Sequence, residues 1–441
     1  MTTVTPQARP RYRFAFAMIT TLFFLWGFVH NLDPILIPHL KRSFSLSVLQ
    51  SSLVDSAVFI AYFVMALPAG LLIRRTGYKN TIVTGLLLFA LGSFLFIPAA
   101  NTGRYAFFLA ALFIIACGLT TLETAANPYA ALLGPPGRAT WRLNLAQSFN
   151  GLAATLAPII GARVILVQGA TDAQLAAMPD TARQLALAAE ASSVKAPYLV
   201  LGLAILVVGA IFWRLRLPAI ATHDPNHAAQ DAGARRGVAQ AWARPAIRRA
   251  AIAQFFYVGA QVCVFSFFIL YASRAAGLSH VAAADYLGWG CGAAFMVGRF
   301  AGTWCMRFVE PARLLLVYAL ASATLSLVAI LGSGMLTVFA VIGIAFFMSI
   351  MFPTIFSLGI QDAGADTEMG SSLIIMSIVG GALLPPLFGA LADATGNIQH
   401  GYAVPLACFL VTAWFARATL RHAARAAATS TPAQGSTVQH V

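Results

Sequence analysis

Apolar segments of about twenty residues recur along the whole chain, and this repeat restricts the possible folds more than any other feature. A helix needs roughly twenty mostly apolar residues to cross the hydrocarbon core of a bilayer. Twelve such segments can be traced, at residues 14–38, 49–73, 81–100, 105–126, 143–167, 197–217, 247–272, 282–306, 314–331, 335–358, 371–391 and 403–420. The repeat predicts an all-α polytopic membrane protein with about twelve transmembrane helices.

The composition points to lipid as the main solvent of the folded chain. Hydrophobic residues make up 59% of the sequence and charged residues only 10%, whereas charged residues form about a quarter of a soluble domain. A soluble fold of 441 residues could not bury so much apolar surface. A lipid bilayer is therefore an expected partner.

Basic residues give the chain a net charge of +14, which would also be typical of nucleic-acid binding. They lie between the apolar segments, however, rather than along one stripe. If the N-terminus is inside, twenty of the 28 Lys and Arg residues fall on the inner side. The outer side holds Lys41, Arg42, Arg104, Arg163, Arg183, Lys195 and Arg274. This imbalance predicts a multi-pass protein of the inner (plasma) membrane, with both termini cytoplasmic and no nucleic-acid partner.

The chain divides into two similar halves. Residues 1–218 and 247–421 each contain six apolar segments, 219–246 form a polar cytoplasmic linker, and 422–441 form a tail expected to be disordered. PIIGA at 158–162 is echoed by PLFGA at 386–390. This pattern predicts two pseudo-symmetric six-helix bundles that hold a solute between them, near the bilayer midplane.

Glu123, inside the fourth segment, is the strongest candidate for chemistry. Ionisable groups within a membrane are costly and usually functional, and a carboxyl group in a medium of low dielectric can exchange a proton near neutral pH. Asn127, four residues on, shares its helix face and is a candidate substrate contact, and Pro128 removes a backbone donor. The alternative is a permanently protonated Glu that joins two helices.

The fifth segment opens with RLNLAQSFNG, in which Gln147 and Asn150 are three residues apart and share a helix face. Amides both donate and accept hydrogen bonds, which suits the hydroxyls of a sugar better than an ion or an apolar drug. Interhelical hydrogen bonding is the competing explanation.

The first two segments add further polar candidates. His30, Asn31 and Asp33 precede Pro34, and Asp55 lies in the next segment. Asp33 and Asp55 are candidate proton sites, and His30 and Asn31 candidate substrate contacts; hydrogen bonds to neighbouring helices are the alternative.

The second half offers weaker candidates. Tyr257, Gln261 and Ser266, with Trp289, can be placed along a cavity wall, since aromatic faces stack on sugar rings, although buried aromatics more often only pack. Arg299 lies alone within a segment and must find a partner. We expect it to join the two halves or to cap a helix end rather than to contact substrate.

Several motifs resemble the major facilitator superfamily, and within it the fucose/galactose/hexose–proton symporter family. They are FLWG, LPAGLLIRRTGYK, LETAANPYAALLGPP, RLNLAQSFNG, AQFFYVGAQ, GRFAGTW and PTIFSLGIQ, and the resemblance runs over nearly the whole chain.

The resemblance implies that Glu123 and a first-segment Asp couple transport to protons and that Asn150 contacts the sugar. The Asp departs from the family pattern, because Pro34 stands at its usual position and Asp33 falls one residue earlier. Asp55 can supply the missing carboxylate.

These observations predict import of a hexose-like sugar, such as fucose, glucose, galactose or N-acetylglucosamine, by proton symport through alternating access. The expected protein is a monomer and needs no cofactor beyond protons as the coupling ion. A proton-coupled exporter (antiporter) of a drug or sugar and a non-transporting sugar sensor are the alternatives. An enzyme is not expected, because no metal-ligand spacing, Ser–His–Asp set or nucleotide loop occurs, and the five cysteines form no CxxC pair.

Overall fold

A computed structural model describes residues 8–30, 48–102, 104–164, 195–215 and 237–430, with short pieces at 177–179, 181–183 and 217–218. Its regular structure is helical. The first half contains α1 (Ala8–His30), α2 (Val48–Thr102), α3 (Tyr105–Leu132), α4 (Ala139–Val164) and α5 (Lys195–Arg214).

The second half is divided into shorter helices. They are α6 (Val238–Ala243), α7 (Pro245–Ser266), α8 (Phe268–Ala276), α9 (His280–Asp285), α10 (Ala293–Cys305), α11 (Pro311–Leu331), α12 (Met335–Met348), α13 (Met351–Ile360), α14 (Thr367–Met376), α15 (Gly380–Thr395) and α16 (Ala403–Ser430). A π-helical turn, Tyr286–Gly292, joins α9 to α10.

Among the described residues, seven helical stretches are long and apolar enough to cross a membrane, and the pair α7–α8, bent by 56°, makes an eighth. The described part of each of the twelve predicted segments nevertheless falls on a helix or on a consecutive run of helices. The number of such stretches is lower than twelve partly because α2 contains two of the predicted segments. The prediction of an all-helical polytopic fold is confirmed.

Gly77 divides α2 into two limbs. A straight helix of 55 residues would extend about 80 Å at 1.5 Å per residue, far more than the roughly 30 Å of a hydrocarbon core. Gly77 breaks it with φ 80° and ψ 169°, a conformation that glycine adopts without steric penalty. Tyr62 before the break and Gly85 after it lie beside Glu123 and Leu122 of α3. Both limbs therefore pack against the same segment of α3.

A buried arginine fixes the turn between α3 and α4. The Arg142 guanidinium donates hydrogen bonds to the carbonyl oxygens of Pro135 (2.8 Å), Ala131 and Ala130. The last carbonyls of a helix lack intrahelical partners, so this side chain caps α3. It thereby sets the angle at which α4 leaves the turn.

Three side-chain contacts join the halves along the first turns of α4. They are Thr140 Oγ1 to Ser357 Oγ at 3.0 Å, Asn144 Nδ2 to Thr354 Oγ1 at 3.1 Å, and Ser148 Oγ to Thr303 Oγ1 at 3.4 Å. We call these six residues the closed end. At this level of the molecule α4 of the first half is in direct contact with α10 and α13 of the second half.

The predicted linker and the predicted tail both contain helical residues. Within the predicted linker 219–246, residues 238–243 form α6, while 219–236 lie outside the described residues. The tail was expected to be disordered from residue 422, but α16 continues to Ser430. The run of alanine and arginine after Phe415 explains this extension, because both residues have high helix propensity.

Candidate functional site

A cavity of about 300 Å³ lies between the two halves, next to the closed end. Its wall in the first half consists of Trp26, Val58, Phe59, Tyr62, Glu123, Gln147 and Asn150. The second half contributes Val258, Gln261, Val262, Phe265, Ser266, Arg299, Phe352 and Ile378. A concave, largely apolar wall with a few convergent polar groups is typical of a small-molecule site.

Glu123 brings a carboxyl group to the cavity from the interior of α3. The side chain is only 7% exposed, and Tyr62 lies within hydrogen-bonding reach of it. Its Oε2 has no hydrogen-bond partner among the described residues. Because an unpaired carboxylate anion is costly in such surroundings, this oxygen is suited to hold a proton or a ligand hydroxyl.

Two amides stand beside this carboxyl group on α4. Gln147 donates from Nε2 to Asn127 Oδ1 at 3.1 Å, and Asn150 donates from Nδ2 to the carbonyl oxygen of Phe23 at 3.2 Å. Gln147 and Asn150 line the cavity, whereas Asn127, also a predicted substrate contact, does not line it and is buried behind Gln147. The predicted pair therefore faces the cavity, and its remaining donors and acceptors can bind hydroxyl groups.

Gly27 allows α1 to approach Asn150 closely. A Cβ atom added at this position would lie 2.6 Å from Asn150 Nδ2, well inside van der Waals contact. The FLWG motif thus places Trp26 on the cavity wall and, one residue on, leaves room for the Asn150 amide. A side chain at position 27 would displace that amide.

Arg299 links the two halves at the cavity. Its Nη1 donates to the carbonyl oxygen of Gln147 at 2.9 Å, and its Nε donates to that of Ser349 at 2.8 Å. The guanidinium lies 4.5 Å from the ring centroid of Phe295, a distance typical of a cation–π contact. The predicted link between halves is confirmed, and the same side chain also lines the cavity.

Aromatic side chains cover much of the remaining wall. Trp26, Phe59, Tyr62, Phe265 and Phe352 all line the cavity. None of them was a predicted site residue, because an aromatic residue in an apolar helix looks the same in the sequence whether it packs or binds.

Four predicted residues fall outside what the structure describes. Asn31 and Asp33 lie outside the described residues, as do the side chains of His30 and Asp55. The backbone of Asp55 belongs to α2, three residues before the cavity-lining Val58.

Two aromatic residues of the second half that were predicted to line a cavity do not line it. Tyr257 is fully buried, and its hydroxyl donates to the carbonyl oxygen of Met348 at 3.1 Å. Trp289 is 75% exposed on the π-helical turn, which shifts the phase of the helix. Gln261 and Ser266 do line the cavity, as predicted.

Comparison with known proteins gives three findings. The family model described as Major Facilitator Superfamily matches residues 14–378. The chain is 41% identical over 411 residues to a glucose/galactose transporter of Brucella abortus biovar 1 (strain 9-941), covering 93% of this chain and 95% of the relative. It is 40% identical over 410 residues to an L-fucose-proton symporter of Escherichia coli (strain K12), covering 92% and 93%.

Solved structures agree with this relationship. The crystal structure of FucP, a transporter of the same superfamily, in the outward conformation superposes with a TM-score of 0.85 at 38% identity, covering 93% of this chain and 99% of that one. The family match, the similarity over most of each chain and the shared fold all point the same way. The chain belongs to the Major Facilitator Superfamily.

Proposed function

We propose that this protein imports a hexose-like sugar together with protons, by exposing one cavity in turn to the two sides of the inner (plasma) membrane. The observation that carries the proposal is the position of Glu123. Its carboxyl group, with Oε2 unpartnered among the described residues, faces the same cavity as the amides of Gln147 and Asn150. One cavity therefore offers a proton acceptor and a set of hydroxyl-binding groups.

The choice of substrate class rests on the cavity wall and on the named relatives. Amides bind hydroxyl groups, and aromatic rings such as Trp26 and Phe265 offer flat faces to the C–H side of a sugar ring. The relatives are named as transporters of glucose and galactose or of L-fucose. Fucose, glucose, galactose and N-acetylglucosamine are the substrates to test here.

Glu123 is proposed to couple sugar movement to protons. As an anion it resists enclosure between the halves, because burying an unpaired charge is costly. Protonation from the outside removes that charge and allows the cavity to close around the sugar. Loss of the proton on the inner side resets the carrier. Asp33 or Asp55 is proposed to supply a further proton-binding carboxylate, because Pro34 stands where the resembled family carries an acidic residue.

The described state is proposed to face outward. Arg138 and Arg142 lie on either side of Thr140, at the same end of the helices as the closed end. Because basic residues are in excess on the cytoplasmic side of membrane proteins, this end is assigned to the cytoplasm, with both termini. The cavity, further along α4, then faces outward. The outward conformation of FucP, which superposes on this structure, supports this assignment.

Uptake by proteoliposomes tests the proposal directly. Purified protein would be reconstituted with an imposed pH gradient, acidic outside, and offered radiolabelled L-fucose, D-galactose, D-glucose and N-acetylglucosamine separately. Symport predicts accumulation of at least one sugar and a sugar-dependent alkalinisation of the outer medium. Proton flux in the opposite direction would instead indicate an antiporter, and binding without uptake would indicate a sensor.

Substitution of the carboxyl group separates coupling from sugar binding. Glu123→Gln should abolish accumulation against a gradient while leaving exchange of labelled for unlabelled sugar measurable. Glu310→Gln is the matched control, because Glu310 is 42% exposed and pairs with its neighbour Arg313 at 3.1 Å, away from the cavity. Normal accumulation by Glu123→Gln would show that the proton is carried elsewhere.

A further inference from the structure

We propose that Asn127, Asn144 and Gln254 form an inner sugar-binding subsite, which opens only when the carrier faces the cytoplasm. The inference rests on the proposed function and says where the sugar is held while it leaves. None of the three residues lines the cavity of the described state.

All three side chains are fully buried and incompletely hydrogen-bonded in this state. Each has 0% exposure. Asn127 Nδ2, Asn144 Oδ1 and both polar atoms of the Gln254 amide have no hydrogen-bond partner among the described residues. Unpartnered amide groups are costly within a membrane protein, where water is scarce, and such groups in a native fold call for a functional reason.

Their positions place them one or two helical turns from the cavity, on one side of it. Gln254 precedes the cavity-lining Val258 and Gln261 by four and seven residues, so it shares their face of α7. Asn144 precedes Gln147 by three residues on α4, and Asn127 follows Glu123 by four on α3. Asn127 therefore lies nearer the end of α3 than Glu123 does, and Asn144 and Gln254 lie nearer the starts of α4 and α7. These helix ends meet at the closed end, so all three residues are displaced from the cavity toward it.

Contacts with α13 bring two of the three residues to the same level. Asn144 Nδ2 donates to Thr354 Oγ1 at 3.1 Å. On α7, Ala250 packs against Gly359 and the Tyr257 hydroxyl bonds the carbonyl oxygen of Met348. Gln254 lies between Ala250 and Tyr257, and therefore opposite the middle of α13.

The third residue connects this group to the outer cavity. Asn127 accepts a hydrogen bond from Gln147 Nε2 at 3.1 Å, and Gln147 lines the cavity. Separation of the closed end would break the bond between Asn144 and Thr354 and expose the amides of Asn144, Asn127 and Gln254 together. A sugar that leaves the outer amides would then exchange its hydrogen bonds for those of the inner ones.

Measuring transport from each side of the membrane tests the subsite. Gln254→Met removes both amide atoms and retains a side chain of similar length. Radiolabelled L-fucose, D-galactose or D-glucose, whichever the wild type transports fastest, would be supplied outside or preloaded inside proteoliposomes of known protein orientation. We expect the KM for uptake from outside to change less than two-fold and the KM for efflux from inside to rise about ten-fold.

Two further variants control for packing. Gln240→Met makes the same exchange on the exposed surface of α6 and should change neither KM. Gln254→Asn keeps the amide and should give an intermediate efflux KM. The melting temperature of Gln254→Met should not fall, since the substitution removes groups that lack partners.

An unchanged efflux KM in Gln254→Met, or an equal rise on both sides, would overturn the inner subsite while leaving symport intact. Absence of transport by the wild type with all three sugars and with N-acetylglucosamine would instead overturn the proposed function, and the subsite with it.

Discussion

The two halves contribute unequally to the cavity wall. Among the described lining residues, the first half supplies the carboxyl group of Glu123 and the amides of Gln147 and Asn150, together with Trp26, Val58, Phe59 and Tyr62. The second half supplies Gln261, Ser266 and Arg299, together with the apolar side chains of Val258, Val262, Phe265, Phe352 and Ile378. The carboxyl group thus lies in the first half. On the proposed function we expect proton coupling and most hydroxyl recognition there, and we expect the second half to close over the sugar.

Arg299 is the exception that connects the two contributions. It belongs to the second half but donates to the carbonyl oxygen of Gln147 in the first. Its effect on the site is therefore exerted through the helix that carries both amides. Substitutions in each half can separate these roles, and the effects expected below decrease in order.

Loss of the Arg299 guanidinium should have the largest effect in the second half. Arg299→Leu leaves the carbonyl oxygens of Gln147 and Ser349 without this donor and removes one of the links between α4 and α10. We expect sugar uptake to fall ~30-fold or more, because leaving two buried polar groups unpaired costs about 1–3 kcal/mol each. Initial rates of uptake in proteoliposomes would measure this.

Arg299→Lys distinguishes charge from geometry. Lysine keeps the positive charge but lacks the planar fork that reaches two carbonyl oxygens, so an intermediate rate is expected. If Arg299→Leu took up sugar at the wild-type rate, this arginine would not be needed for transport. The functional difference between the two halves would then be larger than proposed.

Removal of an amide in the first half should weaken sugar binding strongly. Asn150→Leu eliminates a donor and an acceptor from the cavity, and loss of hydrogen bonds worth about 1.5–3 kcal/mol corresponds to a KM raised roughly 10- to 100-fold. The maximum rate should change less than the KM. The measurement is the KM for uptake at a fixed pH gradient; a KM within two-fold of wild type would remove Asn150 from the site.

The equivalent change in the second half should matter less. Gln261→Leu is expected to raise the KM for the same sugar by about three- to ten-fold, because the apolar neighbours Val258, Val262 and Phe265 already define the wall there. If its effect equalled or exceeded that of Asn150→Leu, hydroxyl recognition would be shared evenly and the proposed division between halves would fail.

The fold was predictable because hydrophobic length is a local property of the sequence. Each predicted segment is long enough to cross a bilayer, and its described residues form a helix or a run of helices. What could not be predicted is where a helix changes direction or phase. The break at Gly77 lies between two predicted segments, but the bend of α7–α8 and the π-helical turn at Tyr286–Gly292 lie inside segments.

The site was predictable where a polar residue interrupts an apolar helix. Glu123, Gln147, Asn150 and Gln261 were recognised by that rule and reach the cavity. Trp26 and Tyr62 were not, because their side chains do not stand out from an apolar background. Gln254 obeys the same rule as Gln261 and was overlooked, since only packing between α7 and α13 shows that its amide is enclosed without a partner in the described part of the chain.

Tyr257 gives the smallest expected effect and tests the boundary of the site. Its hydroxyl bonds the carbonyl oxygen of Met348 at 3.1 Å and does not reach the cavity, so Tyr257→Phe should leave the KM for sugar within two-fold of wild type. Loss of one buried hydrogen bond should cost about 1 kcal/mol of stability, seen as a melting temperature lower by a few degrees in detergent. A large rise in KM without loss of stability would instead bring Tyr257 into the sugar site, as a third polar contribution from α7 beside Gln261 and Ser266.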